Sequence, residues 1–119
     1  MIERYLEIIQ KLEPAFIEAG KIAVKMQQNI SPKKKKDTGI HDVDVVTEAD
    51  FAVQEAVLSA ISKTELTQCR LIAEEKTDLV DKFNPEGEFL LTVDPIDGTL
   101  RYAAREPIYS LIVSIQKDG

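Results

Sequence analysis

A chain of 119 residues with 15 Lys and Arg against 21 Asp and Glu has a formal net charge of −6, which disfavours a general nucleic-acid or anionic-membrane binder, since either calls for a basic surplus. Hydrophobic residues at 44% and charged residues at 30% suit a folded core rather than intrinsic disorder, and the length suits one small domain or part of a larger one. No apolar run nears the ~20 residues of a membrane span, Met1-Ile2-Glu3-Arg4 lacks a secretory layout, and Cys69, the single cysteine, excludes an internal disulfide or a cysteine-built metal site. The expectation is a cytoplasmic protein with neither membrane nor nucleic acid among its partners.

Ile2, Tyr5, Leu6, Ile9, Leu12, Phe16, Ala19, Ala23 and Met26 recur at helical spacing and predict a long amphipathic element, kinked or broken near Pro14. Asn29 to Gly39 reads as a loop, with Ser31-Pro32, the run Lys33 to Lys36 and Asp37-Thr38-Gly39. Val43, Val45 and Val46 suggest a short extended piece. Thr47 then stands as N-cap of a second helix, which would bury Phe51, Val53, Ala56, Val57, Ala60 and Ile61.

Cys69 to Ala73 reads as a short strand ending at Glu74-Glu75, followed by a polar loop through Asn84-Pro85-Glu86-Gly87. Phe89 to Val93 is a nearly continuous apolar run, as in a strand buried on both faces, and it stops at Asp94-Pro95-Ile96-Asp97-Gly98-Thr99. Leu100 to Arg105 suggests a helical turn and Tyr109 to Ile115 another strand. Asp118-Gly119 is a hairpin signal with no partner strand after it, so the expected architecture is unfinished: the sequence reads as cut short.

The acidic hexapeptide is the most informative segment. Pro95 pushes Asp94 toward extended geometry at the end of its strand, and Asp97, across the turn, can converge on it. Gly98 allows a backbone conformation that other residues resist, and a helical turn starting at Thr99 would offer free N–H groups to a phosphate. Two hard carboxylates beside an anion cradle describe a magnesium-assisted phosphate site. A solvated Asp-Pro turn is the plainer alternative for the same residues. An EF-hand loop does not fit, because Gly98 in sixth place would make Val93 the first ligand. An aspartyl-phosphate phosphatase would need its nucleophile where Pro95 stands.

Val45-Val46-Thr47-Glu48-Ala49-Asp50, Ile72-Ala73-Glu74-Glu75 and Asp94 to Thr99 follow one another in the order and approximate spacing of the inositol monophosphatase family, and the chain resembles the N-terminal half of such an enzyme. The resemblance implies an α+β fold, the layered helix and sheet portion of the inositol monophosphatase and fructose-1,6-bisphosphatase type of sugar phosphatase. It implies a magnesium-dependent phosphomonoesterase acting on a small phosphorylated metabolite such as inositol monophosphate, and a possible homodimer. By the same resemblance, Glu74, Asp94, Asp97 and the backbone carbonyl of Ile96 hold metal, with Asp94 as the bridging carboxylate. Gly98 and Thr99 offer N–H groups to the phosphate, Thr99 and Glu74 hold the attacking water, and Asp50 orients Thr99. Glu75 is left beside the site or at the surface.

The family takes a further metal-ligand aspartate from its C-terminal half, in a Trp-Asp setting. This chain has no Trp, and Glu106 and Asp118 are poor substitutes. Leu100-Arg101-Tyr102 departs from the family's commoner continuation after Gly-Thr, which leaves the substrate open. A sibling activity on nucleotide 3′-phosphates or fructose bisphosphate is an alternative, as is a non-catalytic remnant that binds metal or pairs with a longer relative. Lys33 to Lys36 reads as a solvated loop rather than a phosphate or nucleic-acid patch. His41, the only histidine, reads as a surface residue of a loop, and Cys69 as a structural residue before a strand.

Overall fold

A computed structural model describes residues 1–28, 40–97 and 110–117, and the side chains of 40–47, 97 and 110 fall outside that description. Among the described residues the chain is α+β: helices α1 (Ile2–Lys11), α2 (Glu13–Gln27) and α3 (Ile40–Ile61), then strands β1 (Arg70–Ala73), β2 (Phe89–Asp97) and β3 (Ser110–Lys117). The amino-terminal helical pattern breaks where expected. Leu12 separates α1 from α2, its N–H shared between the carbonyls of Ile8 and Ile9 at 3.1 Å. Pro14 occupies the first turn of α2, where no intrahelical donor is required of it.

The expected extended piece at Val43 to Val46 is instead helical backbone, and Thr47 lies well inside α3 rather than capping it. Neither Gly nor Pro interrupts Ile40 to Ile61, so nothing in the chain stops a helix started before the valines from running through them, and β-branching alone costs a helix little. His41 accordingly belongs to a helix and not to a loop. The buried side of α3 also differs from the expected one. Val53, Val57 and Ile61 are fully buried as anticipated, but Gln54 and Leu58 are fully buried too, Asp50 is nearly so, and Phe51 is 47% exposed. Residues 50, 54, 57, 58 and 61 share one side of a 3.6-residue helix, and Phe51 projects about 100° away from Asp50.

β2 is the central strand, parallel to β1 and antiparallel to β3. Phe89, Leu91 and Val93 point into the core while Leu90, Thr92 and Asp94 are half-buried, so the strand is buried on one face and not on both. Its length is the larger correction. β2 does not stop at Asp94 but continues to Asp97 through an irregularity, with Asp94 opposite Ile112 and Asp97 opposite Ser110. Pro95 and Ile96 together oppose Leu111, a bulge of the kind that accepts a proline without losing a ladder hydrogen bond.

The core joins Ala19 and Ala23 of α2, the buried side of α3, Leu66, Cys69 and the inner face of the sheet. The two alanines, one turn apart, let α2 lie close against α3. Tyr5 of α1 meets Phe89 edge to face, with ring centroids 5.3 Å apart. Cys69 is a free, buried thiol just before β1, whose burial raises its pKa; it is structural, as expected.

Between β1 and β2 the polar stretch contains a 3₁₀ turn, Asp78–Lys82, and returns to the start of β1. Asn84 N–H donates to the Thr67 carbonyl at 2.9 Å and the Cys69 carbonyl at 3.1 Å, and Arg70 Nε donates to the Gly87 carbonyl at 2.9 Å. Gly87 is pressed so close that a Cβ there would stand 2.8 Å from Arg70 N and 2.9 Å from the Cys69 carbonyl carbon. Gly87→Ala is therefore expected to lower stability by about 1–3 kcal/mol through this overpacking. A urea midpoint equal to that of the wild type would contradict the close approach.

Candidate active site

The last parallel pair of the β1–β2 ladder is Ala73 opposite Val93. One residue further stand Glu74, just past the end of β1, and Asp94, still within β2, so two carboxylates leave neighbouring strands roughly 4.8 Å apart. Asp50 comes to the same place from α3. The three acids feel one another: burial first, then the charges of Glu74, Glu75 and Asp94, push Asp50 from its ordinary 3.8 up to about 7. Glu74 is raised as well, by desolvation of its carboxyl and by Asp94 and Glu75. Asp50 Oδ1 is buried with no hydrogen-bond partner among the described residues. Burial and like charge acting together on Asp50 and Glu74 make this cluster a candidate site.

What holds the segment after β1 in place is a residue that the sequence pattern does not single out. Gln54, one turn after Asp50 on the same side of α3, is fully buried. Its Nε2 donates to the Glu75 carbonyl at 2.6 Å, and its Oε1 accepts from the Glu75 N–H at 2.9 Å. A glutamine within an apolar helical stripe is the available signal, since an amide sits in a core only when both its donor and acceptor are satisfied.

The remaining candidates divide by position. Ile96 has its side chain buried at 1% exposure, so packing is what that side chain does, as expected, leaving only its backbone for other work. Asp97 ends β2 opposite Ser110, and its side chain lies outside the described residues. Gly98 and Thr99, the expected phosphate-holding pair, lie outside them too, as do the Lys33 to Lys36 run and the expected turn at Leu100 to Arg105. Among the described residues no three His, Cys, Asp or Glu side chains come close enough together to hold a metal ion. The donor chemistry of Glu74 and Asp94 nevertheless suits a hard divalent cation: both are carboxylates, they neighbour each other, and their mutual repulsion is what such an ion relieves.

Residues 7–119 match the inositol monophosphatase family. The chain belongs to that family. It is 29% identical over 112 residues to a protein described as "Inositol monophosphatase" from Dictyostelium discoideum, an alignment that takes in 92% of this chain and 40% of that relative. The chain thus spans well under half the length of the curated relative it matches. No solved structure matches it. The family is one of phosphatases, hydrolases that are generally metal-dependent, and the acid cluster beside the carboxyl end of β1 falls within the matched residues.

Other features of the surface stand apart from this cluster. A cleft of about 620 Å³ lies between α1 and the Glu65–Gln68 turn, lined among others by Arg4, Lys11 and Lys63, and shares no residue with the acids. Arg4 there is committed to Glu65 through its Nε at 2.7 Å; this exposed pair raises Arg4 and lowers Glu65 and contributes little to stability. No helix among the described residues is long and apolar enough to cross a membrane.

Proposed function

We propose that this chain carries the metal- and phosphate-holding part of a magnesium-dependent phosphomonoesterase that acts on a small phosphorylated metabolite such as inositol monophosphate. The single observation that carries the reading is the gathering of Asp50, Glu74 and Asp94 beside the carboxyl end of β1, where it runs parallel to β2, within a chain of the inositol monophosphatase family. Glu74, Asp94, Asp97 and the Ile96 carbonyl would hold the magnesium, an all-oxygen set that suits this ion. When bound, the metal neutralises phosphoryl oxygens and acidifies water.

The chain's own residues supply the rest. Glu74 takes a proton from the attacking water at its carboxylate, and its raised pKa brings it nearer the range in which a general base works at neutral pH. The Thr99 hydroxyl would hold that water and donate to Asp50, whose buried Oδ1 has no hydrogen-bond partner among the described residues. The N–H groups of Gly98 and Thr99 hold the phosphate oxygens. Asp50 and Glu74 stay in reach of one another because α3, through Gln54, holds the Glu75 backbone next to Glu74.

A second reading, residues that bind metal without turnover by themselves, rests on the alignment taking in 40% of the relative. Phosphate release from inositol monophosphate, a nucleoside 3′-phosphate and fructose bisphosphate, measured with magnesium and with a chelator, separates the readings. The expected result is metal uptake and little release by these residues alone, and magnesium-dependent release by a form extended to the length of the relative. Release that ignores the chelator would overturn the proposal.

A further inference from the structure

We propose that Gln54 is a positioning residue of this site: its buried side-chain amide holds the Glu75 backbone in both directions and so sets where Glu74 stands beyond the end of β1. The inference rests on the reading of Glu74 as the carboxylate that faces metal and water. Glu74 is the one residue between two anchors. On its amino side Ala73 is locked in the ladder opposite Val93. On its carboxyl side Glu75 has both its N–H and its carbonyl engaged by Gln54, at 2.9 and 2.6 Å.

The amide therefore acts as a strand partner for the first residues past the ladder, at the point where the backbone would otherwise be free to swing. The constraint opposes electrostatic repulsion. Asp94, Glu75 and Asp50 bear on Glu74 with like charge, and without a tether the exposed Glu74 would swing away from Asp94 and Asp50. Gln54 also links the two halves of the cluster. Asp50 lies four residues before it on the same side of α3, so one rigid helical turn fixes Asp50 relative to the segment bearing Glu74. Only a glutamine meets the requirement at this depth. Glutamate has no donor when ionised, methionine has neither donor nor strong acceptor, and asparagine is one carbon shorter. Gln54 bonds the Glu75 backbone and not the Glu74 carboxylate, so its effect on the site passes through the segment it holds.

The test uses the full chain with Gln54→Met and Gln54→Glu, the second retaining the acceptor for the Glu75 N–H. Amide hydrogen exchange followed by NMR is expected to show the Glu75 amide exchanging at least about tenfold faster in the methionine variant, because a buried hydrogen bond is lost. The glutamate variant should be intermediate, and the Leu91 and Val93 amides of β2 should stay as protected as in the wild type. In a manganese titration the methionine variant should bind about tenfold more weakly, as is usual when the outer partner of a metal ligand is removed.

Unchanged exchange at Glu75, or acceleration spread equally over β2, overturns the proposal; if the methionine variant does not fold, the glutamate variant decides the exchange comparison. A wild-type chain that binds manganese and a methionine variant that binds it equally well overturn the positioning role alone. A wild-type chain that binds no manganese overturns the reading of the site beneath it.

Discussion

Replacing Asp50 with asparagine is expected to stabilise the metal-free chain by on the order of 2 kcal/mol at pH 8 and to change it little at pH 4. Burial and the charges of Glu74, Glu75 and Asp94 raise the carboxyl of Asp50 from 3.8 to about 7, so the folded chain holds that proton more tightly than the unfolded one. Below pH 3.8 both forms are protonated and the residue costs nothing. Between 3.8 and 7 the unfolded chain ionises while the folded one does not, and stability falls as pH rises; above 7 the folded carboxylate bears the whole penalty. Each tenfold gain in proton affinity corresponds to about 1.4 kcal/mol, and the figure is set below the full span because an asparagine amide brings its own need for a partner in a buried place. Urea midpoints at pH 4, 6 and 8 in the presence of a chelator measure it. A gain of the same size at pH 4, or none at pH 8, would show that Asp50 is not crowded by the other acids.

The same titration with a divalent ion present is expected to reverse the sign of the Asp50 contribution, because the ion offsets the crowded charge of the cluster.

Much of this arrangement is legible in the residues. The apolar spacing marks α1 and α2 and the break between them, and short apolar runs mark the strands. What the pattern does not convey are the places where tertiary packing overrides local preference. Val43 to Val46 favour extended backbone by their β-branching, yet they fall in an uninterrupted stretch that α3 takes up whole. Phe51 would be assigned to the core on hydrophobicity, but α3 is rotated so that Asp50 and Gln54 face inward in its place. A reading that sends polar residues outward must misjudge that rotation, because two polar side chains are buried there rather than solvated. Pro95 misleads for a related reason: it signals the end of a strand, whereas the bulge absorbs it and carries β2 on to Asp97. The adjacency of Glu74 and Asp94, separated by 20 positions in the chain, needs the parallel register of β1 and β2, which no local pattern encodes.

Asp94→Asn, made in a form of the length of the relative, is expected to abolish phosphate release and to weaken manganese binding by more than about a hundredfold, the upper range found even for residues that only support a ligand. The substitution preserves shape and leaves the backbone of β2 to pair with Ile112 as before. It also removes a charge that bears on both Asp50 and Glu74, so these two acids should titrate lower in the variant and the chelated protein should still melt cooperatively. This combination distinguishes a metal ligand from a structural residue: an aspartate that merely held the strand end would lose the fold along with the activity, and one that merely decorated the surface would lose neither. Turnover, manganese affinity and a thermal melt on the same preparation decide among them. Unchanged affinity would remove Asp94 from the site, and with it the reason for placing the metal beside the carboxyl end of β1.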